Sequence, residues 1–122
     1  VLEATVTPGL GGTVTSLCHL PSAVEVLAQT PWTATPEPIA FAPDEATWLK
    51  RFQGGWPVMF PNAGDACADG PIRHGFHGEG SVTPWDAAWR GDTLTLTRRF
   101  TAVPVTMTRE IRLAGIRLDV TE

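Results

Sequence analysis

The sequence is poor in several things, and each shortage excludes a class of function. It holds only two cysteines, Cys18 and Cys67, far apart and in no CxxC pair. A zinc centre needs roughly four ligands at fixed spacings, and no such set is visible. Nine Lys and Arg residues are scattered through a chain of net charge −4, so there is no basic stripe of the kind that holds nucleic acid. The longest apolar runs fall far short of a bilayer span, which excludes a membrane helix. No charged, then apolar, then small-residue leader opens the chain. Repeats, low-complexity tracts and heptads are missing, as are the glycine-rich phosphate loop, the dinucleotide-binding fingerprint and the nucleophile elbow. Ser16, Ser22 and Ser81 have no triad partners nearby in sequence. The two cysteines read as buried free thiols of a cytoplasmic protein, with a Cys18–Cys67 disulfide as the alternative.

What is present is strand sequence at both ends and an irregular stretch between. At 122 residues the chain is at most one domain and can bury a core. Residues 2–7 and 13–20 alternate apolar and polar side chains around a Pro8–Gly12 turn, which predicts a hairpin. A short strand at 24–27 follows. Residues 30–43 carry Pro31, Pro36, Pro38 and Pro43; proline removes ladder donors, so this is a loop. Asp44 is placed to N-cap a helix over 45–52, with Trp48 and Phe52 on one face and Gly54 as C-cap. From residue 81 onward the pattern predicts a β-meander: 81–90 interrupted by Pro84, then 93–100, 105–113 and 116–120. Thr, Arg and Glu fall on one face and Leu, Val, Ile and Met on the other, which calls for a second layer. The expected class is all-β, an antiparallel β-sandwich.

Residues 53–85 concentrate the chemistry. Two of the three histidines, His74 and His77, lie here with Trp56, Trp85 and many of the glycines. Histidine suits acid–base work near neutrality. The tryptophans can stack on the apolar face of a sugar ring, and Asn62, Asp65, Arg73 and Glu79 can hydrogen-bond hydroxyls. A His74/His77 metal pair would need a third ligand; Glu79, Asp65 and Asp69 are available, but at no diagnostic spacing, so no metal is expected. His19, inside an alternating strand, reads as structural, and Trp48 reads as packing.

The segments Gly54-Gly55-Trp56-Pro57, Pro61-Asn62-Ala63-Gly64, His77-Gly78 and Pro84-Trp85 together resemble the aldose 1-epimerase (galactose mutarotase-like) superfamily. The resemblance runs over the whole chain and over about the N-terminal half of the family's domain. It implies a β-supersandwich, incomplete in this chain, and a free aldose as small-molecule partner. The implied reaction interconverts α and β anomers. One group protonates the ring oxygen, a base removes the C1 hydroxyl proton, and the ring opens and recloses with no metal or organic cofactor. His77 precedes Trp85 by eight residues, the family's spacing, and is favoured as the sugar-polarising histidine; His74, eleven before Trp85, is the alternative. Asn62, Asp65, Arg73, Glu79 and Trp85 are the candidate substrate-binding residues. The family's second histidine and its glutamate base have no matching position here, so the chain alone is expected to be inactive. The runner-up reading is a non-catalytic carbohydrate-binding β-sandwich.

Two departures from the family pattern bear on substrate. The phosphosugar branch has an arginine before Gly-Gly, where this chain has Gln53, a neutral side chain that cannot clamp a dianion. Glu79-Gly80 also follows the matched His-Gly, where that branch has an apolar residue and then an arginine. Both favour a neutral sugar. The chain opens without Met and ends in an alternating pattern over Ile116–Glu122. Read as sequence, this predicts part of a longer domain whose uncovered sheet is open to self-association.

Overall fold

A computed structural model describes residues 1–35 and 37–122; of the prolines in the 30–43 loop, Pro36 lies outside the described residues. Strands account for 41% of the chain and helix for 9%, which makes the fold all-β. Among the described residues nine strands form three antiparallel sheets. The first sheet holds β1 (Leu2–Thr7), β2 (Thr13–His19) and β3 (Val24–Glu25). The second is a hairpin of β4 (Cys67–Asp69) and β5 (Ile72–His74). The third is a four-stranded meander of β6 (Asp86–Arg90), β7 (Thr93–Arg99), β8 (Thr106–Ala114) and β9 (Arg117–Thr121).

The expected hairpin at the N-terminus forms, with a β-bulge that the alternation does not announce. Register slips between Thr5↔Ser16 and Val6↔Val14, leaving Thr15 as the extra residue of β2. Its hydroxyl donates to Thr5 O at 3.3 Å and lies 3.2 Å from the Thr7 hydroxyl, so the bulge is tied across the pair. The meander also forms where the two-residue period is strongest. Leu94 and Leu96 of β7, Ile111 of β8, and Val14, Val58, Trp85 and Phe100 make the main core, with Leu118 and Val120 of β9 against it. This core joins the first and third sheets face to face in a sandwich-like arrangement.

Four expectations are corrected. The helix α1 spans Glu45–Leu49, with Asp44 accepting from Thr47 N at 2.7 Å as predicted, but it stops three residues before Phe52. Gly54 is therefore not a helix cap. Gly54 and Gly55, both with positive φ, pass between residues 28–29 and β2; Gly54 bridges to Gln29 and Trp56 to Val14. A Cβ on Gly54 would lie 2.2 Å from Ala28 O, and one on Gly55 2.2 Å from Val14 O. The glycines are required by close approach of backbones. Residues 79–81 form a 3-10 turn rather than the start of a strand, and β6 begins only at Asp86; Pro84 has no N–H to give to a ladder. Cys67 is exposed and Cys18 half-buried, both as free thiols, so neither is the fully buried thiol expected.

The fourth correction concerns Arg109. It shares strand parity with Met107, Ile111 and Leu113 and therefore sits on the apolar face of β8, opposite Leu96, not on the polar one. A second, smaller core of Ala42, Trp48, Phe76 and Val82 packs under α1. It supports the irregular stretch.

Candidate functional site

Two backbone segments, 60–65 and 75–80, are clasped together by hydrogen bonds. Gly80 N donates to Phe60 O at 2.9 Å and His77 N donates to Gly64 O at 2.9 Å. Asn62 Nδ2 donates to Gly75 O at 3.0 Å and to Asp65 O at 3.1 Å. Gly64 N donates to His77 Nδ1 at 2.7 Å. Gly78 sits where the segments are closest. Its φ is 73° and its ψ 167°, a conformation essentially reserved for glycine.

His77 is the centre of this clasp. Its φ is 57°, one of only two positive values among non-glycine residues described, so the loop holds it in a conformation that costs energy for a Cβ-bearing residue. Its ring meets Trp48 edge to face at 4.6 Å and packs on Phe76 at 4.1 Å. Because Nδ1 accepts the Gly64 amide proton, a neutral imidazole must carry its own proton on Nε2. Nε2–H has no partner among the described residues and is left as an oriented donor. Burial lowers the His77 pKa below the ordinary 6.5, against the opposing charges of Glu45 and Asp65. Adding a proton would also force Nδ1 to give up the Gly64 bond. The ring is thus neutral at pH 7, and the stability it lends is present above the ordinary value and lost as pH falls through the lower folded one.

The remaining predicted residues divide into three groups. Asn62 and Asp65 are with His77: Asn62 is half-buried, its Oδ1 is buried without a partner among the described residues, and Asp65 is exposed. His74 and Arg73 lie on β5 and line a separate cleft with Phe41, Pro43, Ala66, Cys67 and Ala68. No hydrogen bond or ring stacking joins His74 to His77 among the described residues. Glu79 and Trp85 belong to the scaffold. Glu79 is buried; its carboxylate accepts from Thr101 N, Thr101 Oγ1 and Ala102 N at 2.8–3.0 Å and pairs with Arg98 at 3.0 Å. Trp85 is 4% exposed, donates from Nε1 to Gly80 O at 3.0 Å and meets Phe100 edge to face. Both side chains hold the platform on which the 75–80 segment rests.

Sequence reasoning passed over Arg109. It is fully buried. Its guanidinium lies 4.8 Å from the Trp56 ring centroid, and Nη1 donates to Gly12 O and Trp56 O at 3.2 and 3.4 Å. Nε meets the Glu122 carboxylate at 3.2 Å, and Nη2 has no partner among the described residues. Strand parity was the available signal: Arg109 falls in step with Met107 and Ile111, and Glu122 in step with Leu118 and Val120. Trp56, which is 44% exposed, also lines a cleft of about 550 Å³ with Met59, Phe60, Met107 and Glu122.

Among the described residues no cluster of three His, Cys, Asp or Glu side chains is placed to hold a metal ion, and no helix is long and apolar enough to cross a membrane. Comparison with protein-family models, curated proteins and solved structures finds no match for the chain.

Proposed function

We propose that this chain is the sugar-binding part of an aldose 1-epimerase-like domain and that it binds a free aldose at the His77 clasp. One observation carries the reading: the Gly64 amide pins Nδ1 of His77, so a neutral ring presents Nε2–H outward. A sugar ring or hydroxyl oxygen is an acceptor suited to that donor. Asn62 Oδ1, a buried acceptor without a partner, can take a sugar hydroxyl from the same loop. Trp48 and Phe76 fix the imidazole plane, so little side-chain entropy is lost on binding. In mutarotation the bound histidine would stabilise charge on the sugar oxygen as the ring opens.

Gln53 supports a neutral sugar over a phosphosugar, because a neutral side chain cannot clamp a dianion.

The binding-module reading also has a specific observation behind it. Glu79, the carboxylate nearest to His77 in sequence, is taken up by the 101–102 loop. Among the described residues the clasp offers one oriented donor and no paired base. The expected result is therefore that the chain binds an aldose without speeding anomer exchange. Titration of glucose or galactose followed by saturation-transfer NMR should show binding, and His77→Ala should weaken it about tenfold, the worth of one well-oriented hydrogen bond. Two-dimensional exchange spectra should show the uncatalysed anomerisation rate. Accelerated exchange would make the chain catalytic by itself, and equal binding by His77→Ala would remove the site from this loop.

A further inference from the structure

A second group of reactive side chains lies on the β4–β5 hairpin, and it owes nothing to the sugar reading. Register places Cys67 directly opposite His74. In an antiparallel pair such residues project from the same face, with Cβ atoms about 4.5–5.5 Å apart. Cys67 is a free, exposed thiol. His74 is only 9% exposed, and its Nδ1 is buried without a hydrogen-bond partner among the described residues. Buried polar atoms in folded proteins are nearly always paired, so an orphaned one calls for an explanation. Both side chains line one cleft of about 270 Å³, whose wall is completed by Phe41, Pro43 and the exposed Arg73.

We propose that Cys67 is a modification site at which the thiol exchanges with small carboxylate-bearing disulfides, His74 taking its proton. The cleft supplies the parts this chemistry needs. A thiolate is the nucleophile in thiol–disulfide exchange, and the His74 imidazole, across the strand pair with no bond to Sγ in the resting structure, takes the thiol proton once Cys67 turns toward it. Sγ of Cys67 attacks one sulfur of the incoming disulfide. A protein–ligand S–S bond forms, the original S–S bond breaks, and the departing thiolate is protonated from His74 or solvent. The disulfide itself is the co-reactant, and no other oxidant is consumed. Arg73 gives the cleft its one lining cation, which favours an anionic disulfide, while Phe41 and Pro43 cover the apolar part. Cys18 has no such setting: its partners in register are Glu3 and Glu25.

The test compares two probes, dithiodiglycolate (anionic) and cystamine (cationic), on the native protein and on the chain unfolded in urea. Intact-mass spectrometry and peptide mapping read the rate at Cys67. The native protein should react with dithiodiglycolate about a hundredfold faster than the unfolded chain, the low end for a positioned proton acceptor. Its preference for the anion over the cation should exceed that of the unfolded chain. His74→Gln should abolish the excess rate for both probes, and Arg73→Ala should abolish only the preference. Native Cys67 reacting no faster than the unfolded chain would overturn the proposal, and that comparison requires no variant to fold. An excess rate that survives in folded His74→Gln or His74→Asn would overturn the role of His74.

Discussion

Gly78→Ala should cost the protein more than about 4 kcal/mol, the range reserved for severe local conflicts, and should abolish its cooperative melt if its total stability is ordinary. Two effects combine. The backbone at Gly78 has φ 73° and ψ 167°, and a side chain there adds strain of about 1–3 kcal/mol. The larger effect is steric. A Cβ would stand 2.2 Å from Phe60 O, 2.4 Å from its carbonyl carbon and 2.7 Å from Pro61 N. These are backbone atoms, so no rotamer change relieves the clash. Segment 60–61 would have to withdraw, breaking the Gly80 N to Phe60 O bond and loosening the Asn62 and Gly64 bonds behind it. Gly64→Ala is the control. Gly64 also has positive φ, 98°, but a Cβ would meet nothing within 4 Å. That variant should lose only the strain, about 1–3 kcal/mol. Urea or thermal unfolding of the pair would decide it; equal losses would show that the clasp is not close-packed at Gly78.

Glu79→Ala should also be damaging, at about 2–3 kcal/mol. It removes the charge-assisted bonds from Arg98, Thr101 and Ala102, which are themselves partly exposed, so water can partly reach the freed donors. The carboxylate anchors the connection between β7 and β8: Thr101 and Ala102 point their N–H groups at it, and Arg98 reaches it from β7. The same geometry predicts a pH dependence. Burial raises the carboxyl pKa, but the bonds from Ala102, Thr101 and Arg98 outweigh it, and the net shift is downward from 4.5. A folded-state value below the unfolded one means that the stabilisation is fully present above 4.5. It drains away as pH falls through the folded value. Wild-type stability should therefore fall with acidification below about pH 4.5. In Glu79→Gln, stability should already be reduced at pH 7 and should fall less steeply over the same acid range. Parallel pH profiles for the two proteins would contradict this account of Glu79.

How far the sequence showed these things depended on the range of the forces involved. Strict alternation made β7 and β8 legible, because Leu94, Leu96 and Ile111 must face one way. Asp44 was legible as a cap because an N-cap bond is local. The helix end was not, since regular helix stops at Leu49 although Phe52 keeps the helical step, stacking on Trp48 at 4.6 Å and donating from N to Trp48 O. Gly54-Gly55 was visible as unusual but not as a close approach to Ala28 and Val14, because strand-to-strand contact is set by the rest of the fold. The β4–β5 hairpin carries a usable signal in Asp69-Gly70, but its strands are three residues each, too short for alternation to register. Glu79 looked like a ligand for a sugar because its partners stand 19 to 23 residues further on. His77 was legible as a candidate from its motif, whereas its positive φ and the Gly64 bond that sets its tautomer follow only from the clasp.

The most direct measurement on the central claim is long-range nitrogen–proton NMR of the histidine rings at neutral pH, repeated with glucose or galactose added. The account predicts that His77 has a bare Nδ1 and a protonated Nε2, that its Nε2 resonance moves as the aldose binds, and that the His19 ring does not respond. A His77 protonated on Nδ1, or a spectrum in which saturating aldose leaves Nε2 of His77 unmoved, would contradict it.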